Sequence, residues 1–113
     1  MSNIFKKIIN REIPTAFLYE DDLCIAINDI KPVAPVHILI IPKKEIPTIN
    51  DLNEDDINIV GHLVYVAKKI AKKNKIDSNG FRLVFNCNDD GGQTVYHLHL
   101  HLLGGKKLNR AIG

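Results

Sequence analysis

His97-Leu98-His99-Leu100-His101-Leu102-Leu103 decides how this chain is read. Successive side chains of a strand point to opposite faces. The alternation therefore predicts one strand, from about Val95 to Leu103, with three imidazoles on one face and leucines on the other. Leucine at every even position demands a buried apolar layer. Histidine trades protons, attacks electrophiles and binds metals near neutral pH, so the imidazole row is the predicted working site. Gly104 and Gly105 end the strand.

Just upstream come Asn86 and a polar turn over 87–94 that contains Gly91-Gly92-Gln93-Thr94. A Gly-Gly pair followed by an amide and a hydroxyl offers donors beside the imidazoles, and backbone N–H groups in a tight turn form an anion nest. A nest next to a nucleophilic histidine suits attack at phosphorus. The same glycines also serve a plain turn that needs positive φ, and both readings hold together. Metal binding competes. Alternating histidines supply two ligands, and a carboxylate, thiolate or distant histidine commonly completes such a site. No Asp or Glu follows Asp90, which leaves His37 or a cysteine for that task. Phosphorus chemistry is the preferred reading.

Working outward, Val36-His37-Ile38-Leu39-Ile40-Ile41 is a continuous apolar, β-branched run between Pro35 and Pro42, suited to a central strand covered on both faces. A lone histidine on such a strand is ordinarily a satisfied core residue; the row elsewhere moves His37 toward function. Phe17–Glu20 and Leu23–Asn28 read as a hairpin around Asp21-Asp22, after which Asp29-Ile30-Lys31-Pro32 turns the chain. Residues 3–10 place Ile4, Phe5, Ile8 and Ile9 at helical spacing. A long helix is predicted from Asn53, an N-cap candidate followed by Glu54, Asp55 and Asp56, to about residue 74. Its expected core stripe is Ile57, Val60, Leu63, Val64, Ala67, Ile70 and Ala71. Ile59 and Val66 widen the apolar arc beyond the roughly 100° that one buried face needs, which predicts a partner subunit. Phe81–Asn86 supplies a further strand. His62 is read as structural or solvated, Tyr96 as a core residue with a satisfied hydroxyl, and Cys87 as a small buried hydrophobe.

The chain has 113 residues, which suits one domain over 1–113. A net charge of +2 is too small to imply nucleic acid. The lysines at 68, 69, 72, 73 and 75 suit a helix C-terminus, where cations complement the dipole, and lack the interleaved aromatics of a nucleic-acid surface. Cys24 and Cys87 make no disulfide framework. No apolar run nears the roughly 18 residues of a membrane span, and Lys6 and Lys7 interrupt the first apolar stretch. A cytoplasmic protein without membrane or nucleic-acid partners is expected.

Asn86, Gly91, Gln93, Val95 and His97-Leu98-His99-Leu100-His101-Leu102-Leu103-Gly104 together resemble the histidine-triad (HIT) signature. Phe5 to Pro14, Asp29-Ile30, Ala34-Pro35-Val36-His37, Ile41-Pro42-Lys43-Lys44, Gly61-His62-Leu63 and Gly91-Gly92-Gln93-Thr94-Val95-Tyr96-His97 are similar to its Hint branch, the purine nucleoside phosphoramidase-like one. The resemblance implies a two-layer α+β fold: a five-stranded antiparallel sheet with one long and one short helix. It also implies a homodimer whose sheets continue across the interface. The implied activity is hydrolysis of nucleoside monophosphate conjugates at a phosphoramidate P–N bond, with purine nucleotides preferred, through a covalent nucleotidyl-histidine intermediate and without metal or cofactor. His99 would be the nucleophile. His97 and His37 would orient it, and His101 and Thr94 would hold phosphate oxygens or assist the leaving group. Asp29 would bind the ribose hydroxyls and Ile30 the base, with Asn86, Gly92 and Gln93 at the phosphate end. Three alternatives stand beside this reading: a dinucleoside polyphosphate hydrolase or nucleotidyl transferase of the same superfamily, a non-catalytic nucleotide-binding regulator, and a metal-binding protein. The sequence departs from the branch at Glu45, where a histidine is often found, at Thr94, where serine is usual, and in a C-terminal tail without tryptophan.

Overall fold

From its N-terminus the chain forms a short helix α1 (Ile4–Ile9) and three strands: β1 (Tyr19–Glu20), β2 (Cys24–Asn28) and β3 (Val36–Pro42). The long helix α2 (Ile57–Lys73) follows, then β4 (Phe81–Val84) and β5 (Leu100–Gly104). These elements belong to a computed structural model that describes residues 3–110. The strands make one five-stranded antiparallel sheet ordered β1-β2-β3-β5-β4, with β3 in the middle. Together with one long and one short helix this is the expected α+β architecture. The tail residues Ala111, Ile112 and Gly113 lie outside the described residues.

Strand register sorts the side chains, because cross-strand partners share a face. The pairs Ala26↔Ile40, Ile38↔Leu102 and Ile40↔Leu100 put five apolar residues on one side, where Leu63, Val66, Ala67 and Ile70 of α2 close over them. The pairs Ile25↔Ile41, Ile27↔Leu39, Leu39↔His101 and His37↔Leu103 define the other side. There α1 lays Phe5 and Ile8 on Ile25, Ile27, Leu39 and Ile41. Leu98, Leu100 and Leu102 are all buried, as their alternation with histidine demands. The imidazoles thus share the face of α1.

Several boundaries move. The histidine strand begins at Leu100 instead of Val95. Its partner β3 ends at Pro42, and the next donor, the Leu98 N–H, turns to the carbonyl of Ile46 at 2.6 Å. His97 and His99 therefore sit in irregular chain just before the strand, although the alternation of faces persists. β4 stops at Val84, two residues short of Asn86. β1 is reduced to Tyr19–Glu20. A 3-10 turn over Glu54–Asp56 precedes α2, with the Asn53 N–H donating to the Asp56 carboxylate at 3.0 Å.

The predicted stripe of α2 is rotated. Val66 is fully buried in the core, whereas Ile57 and Val64, expected in the core, are exposed. Val66 lies three residues after Leu63 and four before Ile70 in the helical pattern, so it joins their row. Ile57, Val64 and Tyr65 fall on the outward arc.

Candidate active site

Four histidines meet on the α1 face. His37 is the second residue of β3, His101 the second of β5, and His97 and His99 precede β5. His97 is wholly buried and His37 and His99 nearly so, while His101 is half-buried. Phe5 of α1 packs edge-on against His99 with ring centroids 4.9 Å apart, and the His99 and His101 rings are 5.0 Å apart. The β2–β3 connection returns Asp29 to the same end, its N–H bonded to the His37 carbonyl at 3.0 Å.

Hydrogen bonds fix which ring nitrogen carries each proton, because a carbonyl only accepts and a backbone N–H only donates. Nδ1 of His99 lies 2.7 Å from the His97 carbonyl, so Nδ1 bears the hydrogen. The neutral ring then has its lone pair on Nε2, for which no protein partner occurs among the described residues. Nε2 of His97 donates to the Pro42 carbonyl at 2.8 Å, and its Nδ1 accepts from the Asn3 amide at 2.8 Å. The Val33 N–H donates to Nδ1 of His37 at 3.2 Å, which places the His37 proton on Nε2. That proton points to Nδ1 of His101, 2.9 Å away. A neutral His101 then carries its own proton on Nε2. The row offers one free lone pair, on His99, beside one N–H donor, on His101.

Burial holds all four imidazoles below their ordinary titration range, because desolvation penalises the charged form. His101 is pushed furthest, to about 4, by burial first and then by neighbouring His99 and His37. The rings are therefore neutral at pH 7, the state in which an imidazole can act as a nucleophile.

The structure assigns some expected residues differently. His37 contacts His101, not His99; it sits opposite Leu103 in the ladder, and its ring reaches the diagonal neighbour. Orientation of His99 comes from the His97 carbonyl and Phe5. Gln93 is buried and spends its amide within the chain, donating to the carbonyls of Pro47 and Val95 and accepting from the Asn88 N–H. It braces the turn and has no side-chain donor left for phosphate. The N–H groups of Gly92 and Gln93 donate to Asp89 and Asn88 within the same turn, so neither is free for an anion. Asn86 donates to the Gly91 carbonyl at 2.7 Å. Gly91 is required for space: a Cβ there would come within 2.4 Å of the Cys87 carbonyl oxygen. Thr94 is exposed at the exit of this turn.

Asp29 accepts the Lys31 N–H at one oxygen, and its other oxygen lies 3.4 Å from Nε2 of His37. Beside it Ile30 is 88% exposed, an apolar side chain standing in solvent at the edge of the site. Donor atoms of Asp29, His37 and His101 lie within 4.8 Å of one another, so the carboxylate missing after Asp90 arrives from the β2–β3 connection. Donors of Asp21, Cys24 and His62 cluster similarly. There His62 binds the Asp21 carboxylate at 2.6 Å, and burial first of all pushes the Cys24 thiol up to about 12. Tyr96 is half-buried rather than core, its hydroxyl 3.4 Å from Asp89, and Cys87 is only half-buried. Both lie next to the exposed turn at 88–92, which leaves them one open side.

Sequence reasoning missed four supports of the row: Asn3, Phe5, Val33 and Pro42. Asn3 carried a legible signal as the N-cap before an apolar helical run. Its contact with His97, across 94 positions, did not. Val33 and Pro42 act through main-chain atoms that every non-proline residue, or every residue, possesses.

Comparison with known proteins places this geometry among relatives. The profile of a family described as scavenger mRNA decapping enzyme C-term binding matches residues 2–112. The chain is 52% identical over 105 residues to the purine nucleoside phosphoramidase of Escherichia coli strain K12, covering 93% of this chain and 88% of that protein. It is 53% identical over 108 residues to an uncharacterized HIT-like protein of Buchnera aphidicola, covering 96% of each. Among solved structures it superposes on a HIT family hydrolase from Legionella pneumophila with a TM-score of 0.95 at 48% identity, over 99% of this chain and 100% of that one. A histidine triad protein from Clostridium difficile gives a TM-score of 0.92 at 50% identity, over 96% and 95%.

Proposed function

Since the chain belongs to the histidine-triad (HIT) family, we propose that it hydrolyses nucleoside monophosphate conjugates at a phosphoramidate P–N bond, with purine nucleotides preferred. The observation that carries the reading is the pairing of protons in the row: the unprotonated Nε2 of His99 stands beside the N–H of His101. One is built to attack phosphorus, the other to stabilise charge on a phosphoryl oxygen.

The substrate reacts in its nitrogen-protonated form, so that P–N cleavage releases a neutral amine. The His99 Nε2 lone pair forms a bond to phosphorus as the P–N pair leaves with the amine. The ring, now substituted at Nε2 and still protonated at Nδ1, is cationic, and the His97 carbonyl 2.7 Å away accepts from that N–H and stabilises the charge. Water then attacks phosphorus and the Nε2–P bond returns its pair to the ring. The nucleoside monophosphate leaves, and the proton from water passes to solvent. His101 and Thr94 hold the phosphoryl oxygens. His37 sets the tautomer of His101, and Asp29 accepts from the ribose hydroxyls with Ile30 against the base. Asn86, Gly92 and Gln93 shape the turn behind the phosphate.

The functional unit is a homodimer of single domains. Ile57, Val64 and Tyr65 are 67%, 41% and 56% exposed on the outer arc of α2, and β4 is an unpaired sheet edge. Gly61 lies on that arc with nothing near the place of its Cβ. Glycine inside a helix costs roughly 0.5–1 kcal/mol relative to alanine, and close approach of a second helix gives it a reason. No helix of the described residues is long and apolar enough to cross a membrane; a cytoplasmic location agrees with that.

The test is a hydrolysis screen of adenosine and guanosine phosphoramidates against dinucleoside polyphosphates, with and without chelator. Faster turnover of the phosphoramidates, unaffected by chelator, supports the reading. Tight nucleotide binding with no turnover would indicate a regulator, and activity lost to chelator and restored by zinc would assign the Asp29, His37 and His101 donors to a metal.

A further inference from the structure

Asn3 is the N-cap of α1, and its amide has three partners. The Oδ1 atom accepts the Lys6 N–H at 3.1 Å, while Nδ2 lies 2.8 Å from Nδ1 of His97 and 3.4 Å from a carboxylate oxygen of Glu45. A backbone N–H can only donate and a carboxylate can only accept. The amide therefore has one possible orientation, with its NH2 group aimed at His97. Glu45 is itself held by the Lys6 ammonium at 2.9 Å. This gives Glu45 a definite occupation in this chain: it keeps the Asn3 amide turned toward the row.

We propose that Asn3 is a positioning residue of the active site, holding His97 as the Nε2-protonated neutral tautomer so that the His97 carbonyl stays in place to accept the His99 Nδ1–H. The connection runs through bonds already described. The His97 ring is wholly buried and anchored at both nitrogens, by the Pro42 carbonyl and by Asn3. Its own carbonyl takes the proton of His99, which leaves the attacking lone pair on Nε2. Without Asn3 one ring nitrogen of a buried imidazole lacks a partner, and such a group reorients or takes up a proton. Either change disturbs the carbonyl that defines the nucleophile. The same amide also starts α1, whose Phe5 packs on His99, so one side chain links the cap of the helix to both contacts that position the reacting ring.

The inference rests on the reading of His99 as nucleophile, and its test separates the two. Asn3→Ser keeps an acceptor that caps α1 about as well, but its hydroxyl is too short to reach His97. Asn3→Asp keeps the cap and replaces the donor by a carboxylate, which favours a doubly protonated His97. Each full-length variant is assayed for kcat and KM on an adenosine phosphoramidate, and its imidazole nitrogens are followed by nitrogen-15 NMR against pH. The expected result for Asn3→Ser is a kcat lowered about tenfold with KM little changed, together with an altered His97 Nδ1 signal. For Asn3→Asp, His97 stays protonated to higher pH and kcat falls further. Unchanged kcat in both variants would overturn the proposal, as would a lowered kcat with unaltered His97 signals. If the wild type hydrolyses no phosphoramidate, the proposed function fails. The ring signals then still decide whether Asn3 sets the state of His97, and unaltered signals overturn that too.

Discussion

Nε2 of His37 lies 2.9 Å from Nδ1 of His101, and this contact joins the central strand to the histidine row. Since Nδ1 of His37 already accepts the Val33 N–H, the proton between the rings belongs to His37. His37→Ala should therefore damage the function of His101 and leave the intermediate on His99 able to form. Turnover should fall about 10- to 100-fold, while the nucleotide adduct still appears after rapid quenching. His101→Ala should cost at least as much, and combining the two should add little, because both remove one donor. Additive losses in the double variant would contradict the link.

The strongest effect belongs to His99. His99→Ala should abolish the transient mass increase of one nucleoside monophosphate and lower turnover by several orders of magnitude, since the covalent route loses its attacking atom. Intact-protein mass spectrometry after quenching without acid reads the adduct. Near-normal hydrolysis by this variant would remove His99 from the role of nucleophile.

Asp29→Ala should weaken nucleotide binding about 10- to 100-fold, because a carboxylate accepting ribose hydroxyls contributes roughly 1.5–3 kcal/mol. One of its oxygens already serves the Lys31 N–H, so some loss comes from loosening the β2–β3 turn. Calorimetric titration with ribo- and 2′,3′-dideoxynucleotides separates the two contributions. A wild type that binds both equally has no ribose anchor at Asp29.

Acid should affect rate and stability in the same direction. Burial depresses the folded-state values of His37, His97, His99 and His101 below the ordinary 6.5. Below that pH the unfolded chain binds more protons than the folded one, so stability is full above about 6.5 and is lost as pH falls toward the folded value, about 4 for His101. Each such site contributes up to roughly 1.4 kcal/mol per pH unit inside this window. The acid limb of kcat/KM should have its midpoint below 6.5, since His99 must be neutral to attack. Denaturant titrations and rate profiles between pH 4 and 8 check both; a midpoint above 6.5 would contradict the burial of His99.

On α2, Val64→Asp should yield a folded monomer, whereas Val66→Asp should unfold the chain. Val64 is exposed on the outer arc, and Val66 is fully buried under the sheet, where an unpaired carboxylate is very unfavourable. Sedimentation and circular dichroism distinguish the outcomes. A wild type that sediments as a monomer at micromolar concentration would exclude the dimer.

The contrast between Val64 and Val66 shows where the sequence was legible and where it was not. A period of two with leucine at every second position left one arrangement for residues 98–102, and the apolar run before Pro42 left one for β3. A helix with apolar residues over half its circumference fits the sheet in more than one rotation, and only packing against Ile38, Ile40 and Leu102 selects Val66 for the core. In the site, the histidines were visible because imidazole chemistry is confined to few residue types. Their pairing was not: the choice of His101 over His99 as the partner of His37 depends on how β3 and β5 slide past each other. Gln93 is ambiguous in the sequence for a similar reason, since an amide beside a glycine turn suits phosphate and main-chain carbonyls equally, and in the structure its NH2 group donates to the carbonyls of Pro47 and Val95.

The ring protons of His37, His97 and His99 each answer to a main-chain atom: the Val33 N–H and the carbonyls of Pro42 and His97. Amino-acid replacement at those three positions leaves every one of these atoms in place, proline at 33 excepted. The protonation pattern of the row is therefore insulated from drift in the residues that supply it. Beyond the Asn3 amide, its vulnerability lies in length. One residue gained or lost between Val33 and His37 would move the Val33 N–H donor away from its ring while leaving all four histidines in the sequence, so a relative with an intact triad and an altered spacing in that turn is the one expected to be inert.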